Sequence, residues 1–335
     1  MSSTAKRIAA CIPTYNQAEY LAQAVESCLK QTRPVDVVYV SDDASTDHTP
    51  RVMEELVARD SRVRYIRQPK NLGMAMNPDW VMRNAEADYL VRLDSDDFIH
   101  ERFVEVLSDA LDAHPQAGYA HSAVMWIQMD GREFKESRLF RPTGYQGPEE
   151  ALRLGVQGSR HCANIVLFRR SALEAVDFCT GNPDRGEDYN LFLKLANAGF
   201  GNCYHSDILA SFRVRHGKQW NAMRDILEME GLIQVWDRTL IPAFEKRQWS
   251  LAPIHRMRRA RAKAFVNILA TRKPTPEEWQ RGCSLARQMA DSAGLRALMA
   301  LHNAGLGGVP MAWDKAKFRA RQAAKSVLLG LGLKR

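Results

Sequence analysis

Three aspartates lie within four positions of each other in this sequence. Asp94, Asp96 and Asp97 follow directly after the apolar run 89–93. Like charges this close together are costly without a cation, and carboxylate oxygens suit Mg²⁺ or Mn²⁺, which complete their shells with substrate phosphates and water. A nucleotide diphosphate could supply those phosphates, because a bridging metal stabilises charge on the leaving group. The same acids would also fit a solvated turn or a helix N-cap.

Two further polar loops could contact a nucleotide. Asp42 and Asp43 follow another apolar run, where a carboxylate can accept a hydrogen bond from a base or a ribose. Tyr15 follows Pro13 and Thr14 at a bend. Its ring could stack on a nucleobase there or simply pack within the loop.

Acidic and basic residues later in the chain could act on an acceptor. Glu187 and Asp188 are either first-turn acids that interact with a helix dipole or a general base for a hydroxyl group. Arg213 and Arg215 could contact a diphosphate, because the planar guanidinium matches phosphate geometry. His216 could serve as a further metal ligand, or lie on the surface.

The elements that must position these residues alternate in the first hundred residues. Apolar patterning predicts strands at 7–12, 35–40, 63–66 and 89–93, and helices at 17–31, 46–58 and 76–85. This alternation predicts an α/β fold with a mostly parallel sheet flanked by helices, which binds ligands outside the carboxyl ends of its strands. No Gly-x-Gly-x-x-Gly or P-loop motif is present, which disfavours hydride transfer and ATP hydrolysis.

The second half of the sequence changes character. A hairpin turn is expected at Asp130-Gly131, strands at 163–168 and 208–215, and a helix that opens at 186–188. Beyond Trp220 the pattern predicts mainly helices, at 223–240, 276–290 and 316–331.

Charge is distributed unevenly along the chain. Residues 241–335 contain 19 Lys and Arg against 5 Asp and Glu, whereas residues 1–240 contain 28 against 34. Two basic clusters account for much of this: Arg256, Arg258, Arg259, Arg261 and Lys263, then Lys315, Lys317, Arg319, Arg321 and Lys325. Such a region suggests contact with an anionic membrane or nucleic acid, or else a solvated helical surface.

The sequence also restricts location and cysteine chemistry. No apolar stretch has the length of a membrane-spanning helix, and the first ten residues do not have the pattern of a signal peptide. The six cysteines show no C-x-x-C pairing, which argues against a structural zinc site or a dense disulfide framework. We therefore expect a cytoplasmic protein, at the inner face of the cell membrane if the basic region binds lipid.

An ordered set of motifs resembles family 2 of the inverting glycosyltransferases, which have the GT-A fold. The resemblance covers residues 7 to about 220. It rests on Pro13-Thr14-Tyr15-Asn16, Asp42-Asp43-Ala44-Ser45-Thr46-Asp47, Asn71-Leu72-Gly73, Asp94-Ser95-Asp96-Asp97, and Glu187-Asp188 followed by 213–216.

This resemblance implies roles for individual residues. Residues 13–15 and Asp43 would contact the base and ribose of a nucleotide-diphosphate sugar, with UDP as the expected nucleotide. The other residues expected to bind the nucleotide sugar are Asp42, Asn71, Asp94, Ser95, Asp96, Glu187 and Arg213. The clustered acids would contact ribose and a Mn²⁺ or Mg²⁺ ion, with Asp96, Asp97 and His216 as the favoured metal ligands. Asp188 would be the catalytic base.

The sequence departs from the family pattern at two places. Many members have an arginine shortly after the Asn-x-Gly motif, whereas this chain has Met74-Ala75-Met76-Asn77. The Gln-x-x-Arg-Trp motif of processive members is replaced by Lys218-Gln219-Trp220, which favours the addition of single sugars.

The resemblance implies a domain plan and a set of partners. Residues 1–222 would form the GT-A domain, with a nucleotide-sugar half at 1–117 and an acceptor half at 118–222, and 223–335 a basic helical region. The acceptor would be a glycan or lipid-linked glycan of the bacterial cell surface; no nucleic acid is expected, and a homo-oligomer is left open. The alternatives are a nucleotidyltransferase acting on sugar phosphates and a non-catalytic nucleotide-sugar-binding module.

Overall fold

The computed structural model describes residues 6–158, 165–179, 185–214 and 221–306. The chain divides into two compact units. The first comprises residues 1–217 and 234–249, and the second residues 218–233 and 250–335. The predicted contacts of Arg215 and His216 and the predicted helix at 316–331 lie outside the described residues.

The first unit begins with a strict alternation of strands and helices. Its elements are β1 (Ile8–Thr14), α1 (Ala18–Leu29), β2 (Val37–Asp42), α2 (Thr49–Arg59), β3 (Val63–Arg67), α3 (Met76–Asn84) and β4 (Tyr89–Leu93). All seven elements predicted from the sequence are present, and their ends differ from the predicted ones by no more than three residues.

The rest of this unit adds shorter and more irregular elements. They are β5 (Phe98–Ile99), α4 (Phe103–Ala113), β6 (Ala117–Ile127), β7 (Glu133–Ser137), β8 (Gly144–Gln146), α5 (Pro148–Gly155), β9 (Ile165–Arg169), α6 (Arg170–Ala175), α7 (Glu187–Asn197) and β10 (Gly201–Arg213). The predicted hairpin is formed by β6 and β7, with Gly131 at a φ of 87°. Strand β10 begins earlier than predicted, because register shifts around 205–210 interrupt its apolar alternation.

These strands form one ten-stranded sheet. Its order is β3-β2-β1-β4-β9-β6-β10-β5, with β7 paired to β6 and β8 to β10. Strands β1 to β4 are parallel to one another, β9 is antiparallel to both neighbours, and β6 and β10 are parallel. The fold is thus α/β with a mostly parallel sheet, as predicted.

Both faces of the sheet are buried. On β1, Ile8, Ala10 and Ile12 point into one hydrophobic cluster, whereas Ala9 and Cys11 point into the other. The first cluster contains buried residues of α1, α2 and α4, and the second contains residues of α3, α6 and α7. With helices packed on both faces of β1 to β4, a ligand is expected at the carboxyl ends of these strands.

The region after residue 220 is helical. Its elements are α8 (Ala222–Val235), a π-helical turn (Trp236–Leu240), α9 (Ile241–Lys246), α10 (Ala252–Thr271), α11 (Pro276–Ala290) and α12 (Ala293–Asn303). Helix α11 has the predicted bounds. The helix predicted at 223–240 instead changes to π-helix at Trp236, whose indole nitrogen donates to the hydroxyl of Tyr189 at 3.0 Å.

One member of the first basic cluster is structural. On α10, Arg258 is buried and its Nε donates to the carbonyl of Met289 at 2.7 Å, where it completes the end of α11. Arg256, Arg259, Arg261 and Lys263 are exposed. Within the described ranges, no helix combines the length and apolarity that crossing a bilayer requires.

Candidate active site

A cavity of about 440 Å³ opens at the carboxyl ends of β1 and β4. The parallel register, which pairs Thr14 with Asp42 and Cys11 with Arg92, brings these strand ends to one edge of the sheet. The cavity is lined by Pro13, Thr14, Tyr15, Gln17, Asp43, Asn71, Gly73, Met74, Asn77, Pro78, Arg92, Asp94, Ser95, Asp96 and Glu187. Nine of the residues predicted for the site therefore meet here.

The loop after β1 is held by the loop after β2. Asn16 has a φ of 53°, and its Oδ1 accepts a hydrogen bond from the Thr46 nitrogen at 2.7 Å. Its own nitrogen donates to Ser45 Oγ at 2.9 Å. This bend leaves the Tyr15 ring 47% exposed at the cavity. Thr14 is buried there, and its hydroxyl has no hydrogen-bond partner among the described residues. Buried polar groups are normally satisfied, so this hydroxyl is suited to a ligand.

The two acids after β2 have different surroundings. Asp43 lines the cavity, and its carboxylate accepts hydrogen bonds from the nitrogens of Leu72 at 2.5 Å and Gly73 at 2.9 Å. It therefore fixes the Asn-Leu-Gly loop, whose glycine has a φ of 93°. Asp42 is fully buried and accepts hydrogen bonds from Tyr65 Oη at 2.6 Å and the Ser45 nitrogen at 2.8 Å. Asp42 does not line the cavity, which differs from its predicted placement.

The acidic loop after β4 presents only part of its cluster to the cavity. Asp94, Ser95 and Asp96 line it, with Ser95 Oγ donating to Gln17 Oε1 at 2.6 Å. Asp97 is buried outside the lining, and its Oδ1 accepts a hydrogen bond from the Arg213 nitrogen at 2.7 Å. Burial, and then the charges of Asp96 and Asp94, raise the pKa of Asp97 well above its usual value. Asp94 and Asp96 thus line the cavity, whereas Asp97 does not, and the choice of metal ligands stays a prediction.

Arg213 also differs from its predicted placement at a diphosphate. Its buried guanidinium donates to the carbonyls of Asp96 at 2.8 Å, Gln128 at 3.2 Å and Met129 at 2.9 Å, and to Gln23 Oε1 at 2.9 Å. Because its donors are directed at these carbonyl and amide oxygens, the Arg213 guanidinium holds the loop after β4 in place.

The cavity contains one cation that sequence reasoning missed. Arg92 lies within β4, is buried, and has its Nε 3.8 Å from Asp94 Oδ1. That Nε has no hydrogen-bond partner in the described part of the chain. Burial alone would lower the pKa of the guanidinium, but Asp94 and Glu187 together raise it. A charged residue inside an apolar five-residue strand was the available signal, because charges are rarely buried unless they are paired.

The start of α7 contributes the remaining acids. Gly186 has a φ of 80°, which favours glycine just before the helix. Glu187 lines the cavity, and burial followed by the charge of Asp188 raises its pKa to about 7. Asp188 is half-buried outside the lining, and its Oδ1 accepts a hydrogen bond from the Tyr189 nitrogen at 2.5 Å. The two acids are adjacent, but only Glu187 faces the cavity.

The charges of the cavity suit a divalent cation. Among the described residues, the lining contains four acids, Asp43, Asp94, Asp96 and Glu187, against one guanidinium, that of Arg92. Within the described ranges, no group of three or more His, Cys, Asp and Glu side chains is placed so that it could hold a metal ion. Mg²⁺ requires no such site, because it is usually bound by one or two carboxylates together with substrate phosphates.

Comparison with known proteins identifies relatives of this chain. The family model described as Glycosyl transferase family 2 matches residues 9–177. A chondroitin synthase of Escherichia coli is 28% identical over 242 residues, which is 71% of this chain and 34% of that protein. An uncharacterized glycosyltransferase of Haemophilus influenzae is 29% identical over 213 residues, covering 63% of this chain and 80% of the relative. The chain thus spans about a third of the chondroitin synthase.

Solved structures have the same fold. The crystal structure of S. aureus TarS residues 1–349 in complex with UDP superposes with a TM-score of 0.55 at 18% identity, covering 89% of this chain and 92% of that one. The mannosyltransferase PcManGT from Pyrobaculum calidifontis, in complex with GDP-Man and Mn²⁺, has a TM-score of 0.54 at 20% identity, covering 97% and 87%.

Proposed function

The chain belongs to glycosyl transferase family 2, and from this premise we propose that it transfers a sugar from a nucleoside diphosphate to a hydroxyl group of a glycan, with inversion at the anomeric carbon. UDP is the nucleotide we favour. The observation that carries the proposal is that one cavity collects an exposed aromatic ring, an acidic strand-end loop and an acidic helix start. These are Tyr15, the loop 94–96 and Glu187.

The part of the cavity formed by β1 and β2 would hold the nucleoside. The exposed Tyr15 ring offers a face for the base, and the unpartnered hydroxyl of Thr14 offers a hydrogen bond. Asp43 already accepts two backbone hydrogen bonds, but a carboxylate has further lone pairs for a ribose hydroxyl. Asn71, whose amide donates to the Asp43 carbonyl at 3.2 Å, would complete this wall.

Arg92 would contact the diphosphate. The loop after the Asn-Leu-Gly motif contains methionines where many family members have an arginine, so it supplies no cation. Arg92 lines the same cavity with an unpartnered Nε, and a guanidinium matches phosphate oxygens closely. Arg213, with its donors on carbonyl oxygens, would keep the acidic loop in position instead.

Asp94 and Asp96 would hold a divalent cation together with the donor phosphates. Such an ion would stabilise the negative charge that develops on the departing nucleoside diphosphate. The protein's own part is to keep two carboxylates at the cavity edge, which it does through the Asp97–Arg213 contact behind them. This assignment exchanges Asp97 for Asp94 relative to the sequence prediction, and His216 remains a prediction outside the described residues.

The acids at the start of α7 would take the proton from the attacking hydroxyl group of the acceptor. As the acceptor oxygen bonds to the anomeric carbon, the bond from that carbon to the diphosphate breaks, and the hydroxyl proton passes to a carboxylate. We assign this role to Asp188, as the family resemblance implies, with Glu187 directed at the donor. Glu187 is the alternative base, because it faces the cavity and its pKa is about 7.

Family membership decides between the classes that the sequence left open. It identifies an enzyme of the glycosyltransferase class rather than a nucleotidyltransferase or a non-catalytic binding module. Because a chondroitin synthase is among the relatives, we further propose that the product is a polysaccharide or surface glycan. The chain spans only about a third of that relative, so its substrates are not carried over.

A donor panel tests this proposal. Release of nucleoside diphosphate would be measured with UDP-, GDP- and other nucleotide sugars, in Mn²⁺ or in EDTA. We expect release from one nucleotide class, dependent on the ion and nearly abolished in Asp96→Asn. Equal release in EDTA from metal-stripped protein would refute the metal assignment, and no release from any donor would refute the function.

A further inference from the structure

A second cavity, of about 530 Å³, lies in the first unit and is lined in part by α7. Its walls come from β6, β8, β10, α5 and α7, and from the segment 138–141. We call the first cavity, at the carboxyl ends of β1 and β4, the donor cavity. Strand pairing relates the two cavities, because Leu90 of β4 pairs with Phe168 of β9, which pairs in turn with Tyr119 of β6. Leu90 and Tyr119 share a hydrophobic cluster, so Arg92 and His121, two residues further along each strand, are on the same face of the sheet.

Helix α7 links the two cavities. Its first residue, Glu187, lines the donor cavity, and its residues Tyr189, Phe192 and Leu193 line the second. Tyr189 is fixed by two hydrogen bonds, one to the Gly155 carbonyl at 2.6 Å and one from the Trp236 indole at 3.0 Å. A ligand in the second cavity would therefore lie beside the helix whose first turn carries the proposed base.

The wall of this cavity combines aromatic rings with polar groups. Tyr119 and Phe192 pack at 4.6 Å between ring centroids, and both face the cavity together with Tyr189. The polar groups of the wall belong to His121, Asn202 and Gln146, all of which are buried. Apolar ring faces flanked by a few fixed polar groups are typical of a small-molecule site.

The distinctive group in this cavity is the guanidinium of Arg141. Its Nη2 donates to Asn202 Oδ1 at 2.6 Å and lies 3.4 Å from His121 Nε2, and its Cζ is 5.2 Å from the Tyr204 ring centroid. Asn202 is itself held by Gln146, through a hydrogen bond of 3.1 Å from Nδ2 to Oε1. The hydrogen-bonded side-chain amides of Asn202 and Gln146 therefore fix the position of the Arg141 guanidinium.

Arg141 has no ion-pair partner among the described residues. Its Nε is buried and has no hydrogen-bond partner in that part of the chain. Glu150, the acid at this cavity, instead accepts a hydrogen bond from Gln146 Nε2 at 3.2 Å. Burial lowers the pKa of the Arg141 guanidinium, and the nearby Tyr119 and Glu150 offset only part of this effect.

A second arginine at the rim provides an internal comparison. Arg138 also lines the cavity, but it is exposed and its Nε donates to Glu136 Oε2 at 2.9 Å in an ion pair. It also donates to the carbonyl of Ser206. Its charge is therefore already matched by a carboxylate, whereas Arg141, which also lines the cavity, forms no ion pair within the described ranges.

We propose that the second cavity is an acceptor subsite that binds an anionic sugar, with Arg141 receiving its carboxylate or phosphate and the Tyr119–Phe192–Tyr189 wall receiving its ring. This inference rests on the proposed function, because it assigns the acceptor's chemical class to the same transferase. Asn202 and Gln146 are positioning residues, which act through Arg141. The anionic group would offset the charge of this half-buried guanidinium, and the sugar would extend along α7 toward the donor cavity.

Direct binding tests the subsite separately from catalysis. Saturation-transfer NMR would be recorded on the full chain with methyl glucuronide, glucose phosphate and methyl glucoside as probes. We expect binding of one or both anionic probes and none of the neutral one; the first two arms distinguish carboxylate from phosphate. Arg141→Gln should weaken anionic binding roughly 10- to 100-fold, the range expected for hydrogen bonds to a charged group. Arg138→Gln, the matched rim control, should leave it unchanged.

Kinetics then connect the subsite to transfer. Slow hydrolysis of the donor without acceptor reports on the donor cavity alone, and Arg141→Gln should leave it intact while raising KM for anionic acceptors. Arg141→Lys should retain part of the preference. Equal binding of neutral and anionic probes, or equal losses in Arg138→Gln and Arg141→Gln, would overturn the inference. Absent hydrolysis in the wild type would instead refute the proposed function, without bearing on the binding result.

Discussion

Asp97 accepts a hydrogen bond from the backbone nitrogen of Arg213 at 2.7 Å, across 116 residues of sequence. The contact ties the loop after β4 to the end of β10. It also explains why a cluster of three acids presents only two to the cavity: the third is buried behind them as a brace. The Arg213 guanidinium reinforces this brace through the carbonyl of Asp96.

Asp97→Asn should stabilise the protein at neutral pH in EDTA. The amide oxygen can still accept from Arg213, while the repulsion from Asp96 and Asp94 is removed. Because the pKa of Asp97 is raised in the folded state, this group costs the wild type no stability below its unfolded pKa of about 3.9 and destabilises the fold as pH rises above that value. The variant avoids that loss, so its advantage should be absent near pH 3 and grow toward pH 7.

Thermal unfolding across that pH range measures this effect. We expect a gain of about 2 °C or more at pH 7, a shift that corresponds to roughly 1 kcal/mol in a protein of this size. Asp109→Asn on α4, an exposed acid paired with Arg33, is the control and should show no comparable gain. A lower melting temperature for Asp97→Asn at pH 7 would contradict the claim that Asp94 and Asp96 repel the Asp97 carboxylate in the folded protein.

Arg92→Gln should weaken binding of the nucleotide sugar. If Arg92 contacts the diphosphate, its loss should raise the donor Kd by roughly 10- to 100-fold, the range for hydrogen bonds to charged groups. Arg92→Lys should be intermediate, because it keeps the charge without the planar fork. Calorimetric titration of intact donor and of free nucleoside gives the comparison: the nucleoside should bind both variants as it binds the wild type. Equal weakening for the nucleoside would place Arg92 outside the diphosphate contact.

Asp188→Asn should lose turnover by a factor on the order of 10² to 10⁴, the usual range for a positioned acid or base. Donor binding should be retained, because Asp188 does not line the donor cavity. Single-turnover transfer and donor titration separate the two effects. Glu187→Gln is the matched control. A larger loss of turnover in that variant than in Asp188→Asn would assign the base to Glu187 instead.

The pH dependence of kcat/KM should contain an ascending limb near pH 7. Burial and the neighbouring charge of Asp188 raise the pKa of Glu187 to about 7, so this acid changes charge there. Activity should rise with pH if the ionised pair is the working form, and the limb at pH 7 should vanish in Glu187→Gln. An unchanged limb in that variant would assign the titration to another group. Because Glu187 and Asp188 interact, the pH profile should be fitted with apparent pKa values that belong to the pair of acids rather than to either residue.

Deletion of residues 314–335 should abolish binding to anionic vesicles. This prediction comes from the sequence alone, because the second basic cluster lies outside the described residues. Each basic residue near an anionic surface contributes on the order of 1 kcal/mol, so several together could hold the protein there. Vesicle sedimentation should show binding that weakens with salt. Equal recovery in the supernatant with neutral and anionic vesicles at low salt would contradict it.

Local sequence patterns predicted the first part of the fold well. Strands β1 to β4 have clear apolar runs bounded by polar loops, so the placement of Thr14, Asp43 and Asp94 at one edge followed from sheet topology. Asp42 was harder to place: successive strand side chains alternate in direction, and this one points to Tyr65.

Long-range contacts account for what the sequence did not reveal. Arg92 sits in an apolar strand, and besides Asp94 the acid that most raises the pKa of its guanidinium is Glu187, which lies far away in sequence. The bonds from Arg213 to Asp96 and Asp97 likewise join distant loops. The second cavity combines residues from 119 to 202, and no local motif marks their meeting.

The most direct test of the central claim is NMR observation of the reaction itself. A nucleotide sugar selected from the donor panel would be mixed with acceptor and Mn²⁺, and the anomeric signals of donor and product followed over time for the wild type and Asp96→Asn. The account predicts a product of inverted anomeric configuration from the wild type and almost none from the variant. Retained configuration, or wild-type turnover by Asp96→Asn, would contradict it.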